Sequence, residues 1–399
     1  MRIAGIIAEY DPFHKGHAAH IAATRAENGG KATHVITVIS GNFTQRGEPA
    51  LISKFRRAEM ALANGADLVL ELPIPWAMAP AENFAAGGVA ILNALGCVDV
   101  LSFGSECGDV AQLQQLAALS SSPEYQECLR NILSTGVPYA AEGQMAISQL
   151  LGEEPASHLA TPNNTLGIEY IRAAALQHAD FDFYTLQRQG ALHNENAPNQ
   201  GIASASLIRK LVHERKVQEA IQYMPKSSAE FLNADDDCGK IATQTHALQS
   251  ALMAQLRRMD ETSFMDLPWL SEGLENRLYR ASRTATDYNT MLEQAKTRRY
   301  PMARLRRVLW SALIGITTED CIGLPPYIRV LGMNQRGREI LSLASPTLPI
   351  LTRTAQLNEL DKRCRRVFAL ECVATDLHAL CMPNPDPCGM DYSHKMIVE

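Results

Sequence analysis

Two histidines three residues apart, His14 and His17, flank a glycine, Gly16, directly after an apolar run at Ile3–Ala8. The full stretch reads Ile7-Ala8-Glu9-Tyr10-Asp11-Pro12-Phe13-His14-Lys15-Gly16-His17-Ala18-Ala19-His20. Imidazole N–H groups can donate to phosphate oxygens whose charge grows during displacement at an α-phosphate. Gly16 permits close approach of the backbone, and Pro12 is compatible with a sharp exit from a sheet. If the stretch turns from strand into helix, the helix start adds unpaired N–H groups and partial positive charge, which also suit a polyphosphate. Taken alone, the two histidines read more readily as surface residues of a turn; the strand-to-helix context and the H-x-G-H spacing reverse that in favour of a phosphate seat. A second stretch, Ile202 to Arg209 (IASASLIR), offers the hydroxyls of Ser204 and Ser206 and a cation at Arg209. By itself it is an ordinary helix start; paired with the first motif it gains weight.

Such groups need a scaffold that brings them to one edge. Short β-rich runs at 3–8, 34–40, 67–72, 98–104 and 181–186 alternate with helical spacing at 53–63, 81–95, 142–151 and 165–177. Several of the runs are almost continuously apolar, as in a parallel sheet covered on both faces. The alternation predicts an α/β doubly wound domain with right-handed crossovers and its ligand at the carboxyl ends of the strands. Beyond about residue 221 the pattern becomes mainly helical to about 312, with Asp235, Asp236 and Asp237 reading as a solvated loop. A short strand-like YIRVLGM follows near the end.

Composition narrows the function classes. The 399 residues are 46% hydrophobic and 20% charged with a net charge of −6, so nucleic-acid binding would need a local basic patch. No stretch offers about 18 uninterrupted apolar residues, and MRIAGIIAEY is too short for a signal-peptide core. Nine scattered cysteines without a C-x-x-C pair argue against a disulfide framework. A soluble, cytoplasmic protein without a membrane partner is expected.

Placed after the first strand, H-x-G-H is the HIGH-type signature of nucleotidyltransferases and class I aminoacyl-tRNA synthetases. SGNFTQRGEPALISKFRRAEMAL from Ser40, FGSE from Phe103, TPNNTLGIEYI from Thr161 and IASASLIRK from Ile202 occur with it in order. Together these resemble the tRNA(Met) cytidine acetate ligase family, more loosely through RLRRVLW and PPYIRVLG. The resemblance implies a Rossmann-like parallel-sheet nucleotidyltransferase domain over 1–220 and a mainly helical, tRNA-engaging region over 221–399. It implies that acetate attacks the α-phosphate of ATP, giving acetyl-adenylate, and that the acetyl group passes to N4 of the wobble cytidine of elongator tRNA(Met). ATP is then a substrate, with Mg2+ expected beside it. The family's ATP-binding positions map onto 7–20, Gly104, either Asn163 or Asn164, and Arg188. The sequence carries Asp11 and Lys15 where many members have asparagine; a carboxylate near a phosphate seat is tolerable there if it pairs with Lys15 or magnesium, and the roles of both residues stay open.

His14, His17 and Lys54 are the candidates for the reaction itself, with Arg46 a further cation and Glu48 and Glu106 candidate acceptors; a solvated Lys54 and a simple Arg46–Glu48 pair are the bland alternatives. For tRNA, the cationic run containing Arg298, Arg299, Arg304, Arg306 and Arg307 suggests phosphate contacts, or else a solvated face or, for Arg304 and Arg307, an anchor between domains. Cys364, Cys372, Cys381 and Cys388 lack paired zinc-ligand spacing, so no metal site is expected. Two rival readings share the motifs: a nucleotidyltransferase for a small molecule, and a catalytically silent tRNA-binding protein.

Overall fold

The computed structural model describes residues 1–133, 139–188, 201–271 and 273–399. Five parallel strands form its centre: β1 (Ile3–Ala8), β2 (His34–Ser40), β3 (Leu68–Leu72), β4 (Val100–Ser105) and β5 (Asp182–Gln187), in the order β5-β4-β1-β2-β3. All five coincide within two residues with the apolar runs of the sequence. β2 and β3 are buried along their whole length because helices cover both faces. In β1, Ile3 and Ile7 enter one core with Leu92 and Ile168, while Ala4 and Ile6 enter the other with Ile21 and Leu211. That alternation is the two-residue repeat of a strand.

The second half also contributes strands. β6 (Ile328–Met333), read correctly as a strand in YIRVLGM, pairs antiparallel with β3, and β7 (Ile350–Leu351) and β8 (Ile397–Val398) pair parallel with β6. The sheet therefore continues past the boundary expected near residue 220. A third core holds the helices between 245 and 314, centred on Leu252, Phe264, Leu278 and Trp310. Asp235 corrects the sequence reading: it lies in the helix Lys226–Asp237, buried, with Arg56 Nη2 at 2.9 Å, and is not in a solvated loop.

The chain leaves β1 toward β2 on one side and returns to β4 on the other, so the order of strands reverses between β1 and β4. In an open α/β sheet the crevice at such a reversal is the ligand position. The helix α1 (Lys15–Arg25) starts there, at the exit of β1, and α2 (Lys54–Leu62) follows β2. Among the described residues no helix is long and apolar enough to cross a membrane.

Candidate active site

Tyr10 leaves β1 with φ 52°, a left-handed conformation that a bulky aromatic residue adopts only where packing enforces it. Its ring is buried against Phe13 and His17, with centroids 4.8 Å away in each case. His14 is the N-cap of α1. Its Nδ1 accepts the Gly16 N–H at 3.0 Å, and its own N–H donates to His17 Nδ1 at 3.2 Å, a reciprocal capping box built from two histidines. The rings stack with centroids 3.6 Å apart.

This geometry sets the tautomers. An Nδ1 that accepts a backbone N–H carries no proton, so each neutral ring carries its proton on Nε2. Burial first, then the cations Arg188 and Arg209, lower His14 to about 3. Burial and the neighbouring His14 hold His17 well below the ordinary histidine range. Both rings are therefore neutral at pH 7 and keep an Nε2–H donor each. Gly16 is needed for the arrangement: a Cβ there would stand 2.9 Å from His14 Cε1 and 3.1 Å from its Nδ1.

His20, one turn further, reaches across to β4, where its Nε2 lies 2.9 Å from Ser102 Oγ. Thr24 Oγ1 holds that hydroxyl at 2.7 Å. Burial, then Arg188, lower His20 to about 4. Of the remaining residues of the first motif, Ile7 and Phe13 are buried in the core, Ala8 and Ala18 pack at its edge, and Ala19 is exposed. Glu9 Oε1 accepts the Gln45 N–H at 2.6 Å.

Asp11 and Lys15 receive physical roles. Asp11 Oδ1 accepts the Leu51 N–H at 2.7 Å, and Arg209 Nη1 donates to the Asp11 carbonyl at 2.6 Å. Lys15 Nζ donates to the Gln222 carbonyl at 2.6 Å. Asp11 thus does not pair with Lys15: it is a latch between the first motif, residue 51 and the second motif. Ser204 caps the helix Ala205–His213, its Oγ accepting Leu207 N–H at 3.2 Å, and Ser206 Oγ accepts from Arg209 Nη2 at 3.2 Å. The second motif meets the first directly, Ile202 Cγ2 lying 3.5 Å from the position of a Gly16 Cβ.

At the end of β4, Gly104 underlies the stem of Arg188, whose Cγ would be 3.4 Å from a Cβ on that glycine. Arg188 Nη1 donates to Asn163 Oδ1 at 3.1 Å. The two asparagines divide their work: Asn164 is buried and spends its Oδ1 on the N–H groups of Glu106 and Cys107, at 2.9 and 3.1 Å. Asn163, only partly buried, is the one placed beside Arg188. Glu106 accepts from the Asn163 side chain and from the backbone N–H groups of both asparagines.

Two groups of candidates have their charge spent elsewhere. Lys54 is fully buried, with Nζ at 2.6 Å from Glu71, 2.7 Å from Asp391 and 3.5 Å from Glu371. Its charge is consumed by carboxylates that clamp the C-terminal helices to β3, so it is neither solvated nor aimed at phosphate. Arg304 donates to the Trp269 carbonyl, Arg307 to the Gln45 carbonyl at 3.0 Å, and Arg306 pairs with Glu48. These three tie helices and the 41–50 loop together, and of the five arginines named for tRNA only Arg298 and Arg299 are fully exposed.

One contributor carried no signal in sequence. Arg57, fully buried, donates to the carbonyls of Glu9, Ser40, Gly41 and Ile52, and so fixes the ends of β1 and β2 beneath the site. It is one of two adjacent arginines at a helix start, and nothing local marks which one turns inward.

With this geometry in view, comparison with known proteins gives one answer. The family model described as HIGH Nucleotidyl Transferase matches residues 1–391. The chain is 35% identical over 416 residues to a tRNA(Met) cytidine acetate ligase of Acetivibrio thermocellus, covering 100% of both chains. It is 36% identical to one of Alkaliphilus metalliredigens, covering 96% of this chain and 95% of the relative. Its fold is similar to a crystal structure of Thermotoga maritima TmcAL in the apo state, with a TM-score of 0.94, 33% identity and coverage of 100% and 99%. It is similar, at a TM-score of 0.91 and 32% identity over the same shares, to the same protein bound with alpha-thio ATP.

Proposed function

Since the chain belongs to the HIGH nucleotidyltransferase family, among its tRNA(Met) cytidine acetate ligases, we propose that it acetylates a tRNA cytidine in two steps at the crevice between β1 and β4. In the first, an acetate oxygen attacks the α-phosphorus of ATP and the bond to the bridging oxygen breaks, giving acetyl-adenylate and pyrophosphate. In the second, N4 of the wobble cytidine of elongator tRNA(Met) attacks the acetyl carbonyl, AMP leaves and N4 loses a proton. Acetate and an exocyclic amine are both weak nucleophiles, so the rate must come from positioning and charge stabilisation.

The observation that carries this reading is the histidine pair. Two neutral rings, each locked by a backbone bond at Nδ1, present Nε2–H donors at a helix start, with Arg188 and Arg209 as the neighbouring charges. A preorganised neutral donor meets the charge that develops on the phosphate without the cost of burying another cation. Asn163 and Gly104 support the same seat by holding Arg188. Magnesium would accompany ATP on its phosphates, where waters and at most one or two protein carboxylates complete its shell. For tRNA, Arg298 and Arg299 are the exposed cations of the basic run, and a cytoplasmic location fits such a substrate.

Incubation with ATP, labelled acetate and bulk tRNA, followed by nucleoside analysis, tests the reading: label in N4-acetylcytidine with release of AMP and pyrophosphate is expected. ATP–pyrophosphate exchange driven by another small substrate and not by acetate would favour the small-molecule nucleotidyltransferase. RNA binding that survives His14→Ala, with no turnover of any carboxylate, would favour the silent tRNA-binding protein.

A further inference from the structure

Glu106 lies just beyond β4 and makes a denser set of bonds than a loop carboxylate needs. Its Oε1 accepts the Asn163 Nδ2–H at 2.6 Å and the Asn163 backbone N–H at 3.3 Å, while Oε2 accepts the Asn164 N–H at 2.8 Å. The two backbone donors belong to the first turn of the helix Pro162–Leu176, whose own N-cap, Thr161, makes no side-chain cap bond. A carboxylate from another segment therefore serves as the cap, with favourable charge at the positive end of the helix.

The consequence falls on Asn163. An amide side chain has a donor end and an acceptor end, and a carboxylate accepts only. With Nδ2 committed to Glu106, Oδ1 must face the opposite way, where Arg188 Nη1 donates to it at 3.1 Å. Carboxylate, amide and guanidinium form a directional chain. If the amide turned over, its NH2 group would face the guanidinium, donor against donor, and Arg188 would lose its hold.

We propose that Glu106 is a positioning residue which, through Asn163, aims Arg188 at the phosphate seat formed by His14 and His17. The proposal rests on the reading above of that crevice as the ATP site. Arg188 is the common electrostatic neighbour of the site's three histidines, which its charge helps keep neutral. Its stem lies over Gly104, so only its far end needs direction.

A double-mutant cycle tests the chain of action. Glu106→Gln preserves volume but leaves one oxygen where two served three donors, so the Asn163 amide loses its enforced orientation. Acetate-dependent ATP–pyrophosphate exchange should fall by roughly 10- to 100-fold in Glu106→Gln, the scale of a misplaced catalytic group. In the Arg188→Ala background the same change should cost no more than about 3-fold, because non-additivity marks residues that act through one another. Should Glu106→Gln fail to fold, Asn163→Ala enters the cycle instead and breaks the chain in the middle. A merely structural helix cap would lower the unfolding midpoint and reduce exchange by the same factor with or without Arg188; that additivity overturns the proposal. The ATP dissociation constants of the four proteins, measured without acetate, must show the same coupling. If the wild type shows no acetate-dependent exchange, the acetate reading fails, while those constants still decide on Glu106.

Discussion

Lys54→Met separates a structural lysine from a catalytic one. Lys54 shares a sealed cluster with Glu71, Glu371, Asp391 and Arg329, all buried. Burial, then the adjacent Glu71, push Glu371 well above the ordinary carboxyl range, which favours its neutral form. Burial alone would lower the Lys54 ammonium, but Asp391 and Glu71 outweigh it and hold it charged. Two cations, Lys54 and Arg329, then balance two anions, Glu71 and Asp391. Removing Lys54 leaves Arg329 against both carboxylates, one uncompensated buried negative charge. Breaking a buried ion cluster from one side costs about 3–5 kcal/mol, a large share of the about 5–15 kcal/mol that holds a protein folded.

Urea unfolding followed by circular dichroism should show that loss as a lower midpoint. Lys54→Met combined with Glu71→Gln restores one cation to one anion and should recover about half of it or more, by the same accounting. ATP affinity of the folded single variant should stay within about 3-fold of wild type, because the ammonium touches nothing at the phosphate seat. A variant with an unchanged unfolding midpoint and abolished adenylate formation would refute this account and return Lys54 to the reaction. So would a double variant less stable than the single one.

Gly16→Ala places a Cβ 2.9 Å from His14 Cε1, so the ring must swing away; ATP affinity should weaken by about 10-fold or more, the worth of a lost charge-assisted bond, and an unaltered dissociation constant counts against the seat. His378 donates from Nε2 to the Ala50 carbonyl at 2.7 Å and is lowered, chiefly by burial, to about 4 from 6.5. A histidine lowered on folding gives stability above its unfolded value that is lost as pH falls, here ~2 kcal/mol by pH 5; His378→Gln should flatten the fall in stability between pH 6.5 and 4.5, and a parallel pH profile would show that His378 titrates alike in both states. Arg298→Glu with Arg299→Glu should weaken tRNA binding and reduce its salt dependence by about two counterions if both touch phosphates. Acetate-driven exchange without tRNA should remain as in wild type, and tRNA affinity that ignores both changes would move the RNA surface elsewhere.

The strands around the crevice were legible because each is a local apolar run, and His14, Gly16 and His17 because their chemistry is packed into four residues. Pairing across the chain left no such trace. β6 was readable as a strand, but its place against β3, about 260 residues earlier, depends on register that local sequence does not encode. Asp235 read as solvated because acidic runs usually are; its partner Arg56 is 179 residues away. Lys54 had the right charge at the right helix start for phosphate, and only the arrival of Asp391 beside Glu71 reveals that its charge is spent. Arg306 and Arg307 look like the basic face of a helix until Glu48 and the Gln45 carbonyl meet them. Each misreading concerns a charged residue, whose function depends on a distant partner more than on its own neighbours.

Those distant partners tie the helical half to the proposed nucleotide site. The loop at 41–50 follows β2 and has little regular structure of its own. Phe43 enters the helical core beside Trp310, His378 takes the Ala50 carbonyl, and Asn42 donates to Thr375 Oγ1 at 3.1 Å. Arg307 holds the Gln45 carbonyl while the Gln45 N–H reaches Glu9 Oε1 at the exit of β1. One residue, Gln45, thus links the helix Met302–Ile314 to the first motif through both of its backbone polar groups. A change on that helix can reach Glu9 through two hydrogen bonds. The 41–50 loop, which precedes the division read near residue 220, is held by residues from beyond it. On the proposed reading, RNA engaged by the helical half would have a direct physical route to Glu9, and through it to the backbone that sets His14 and His17.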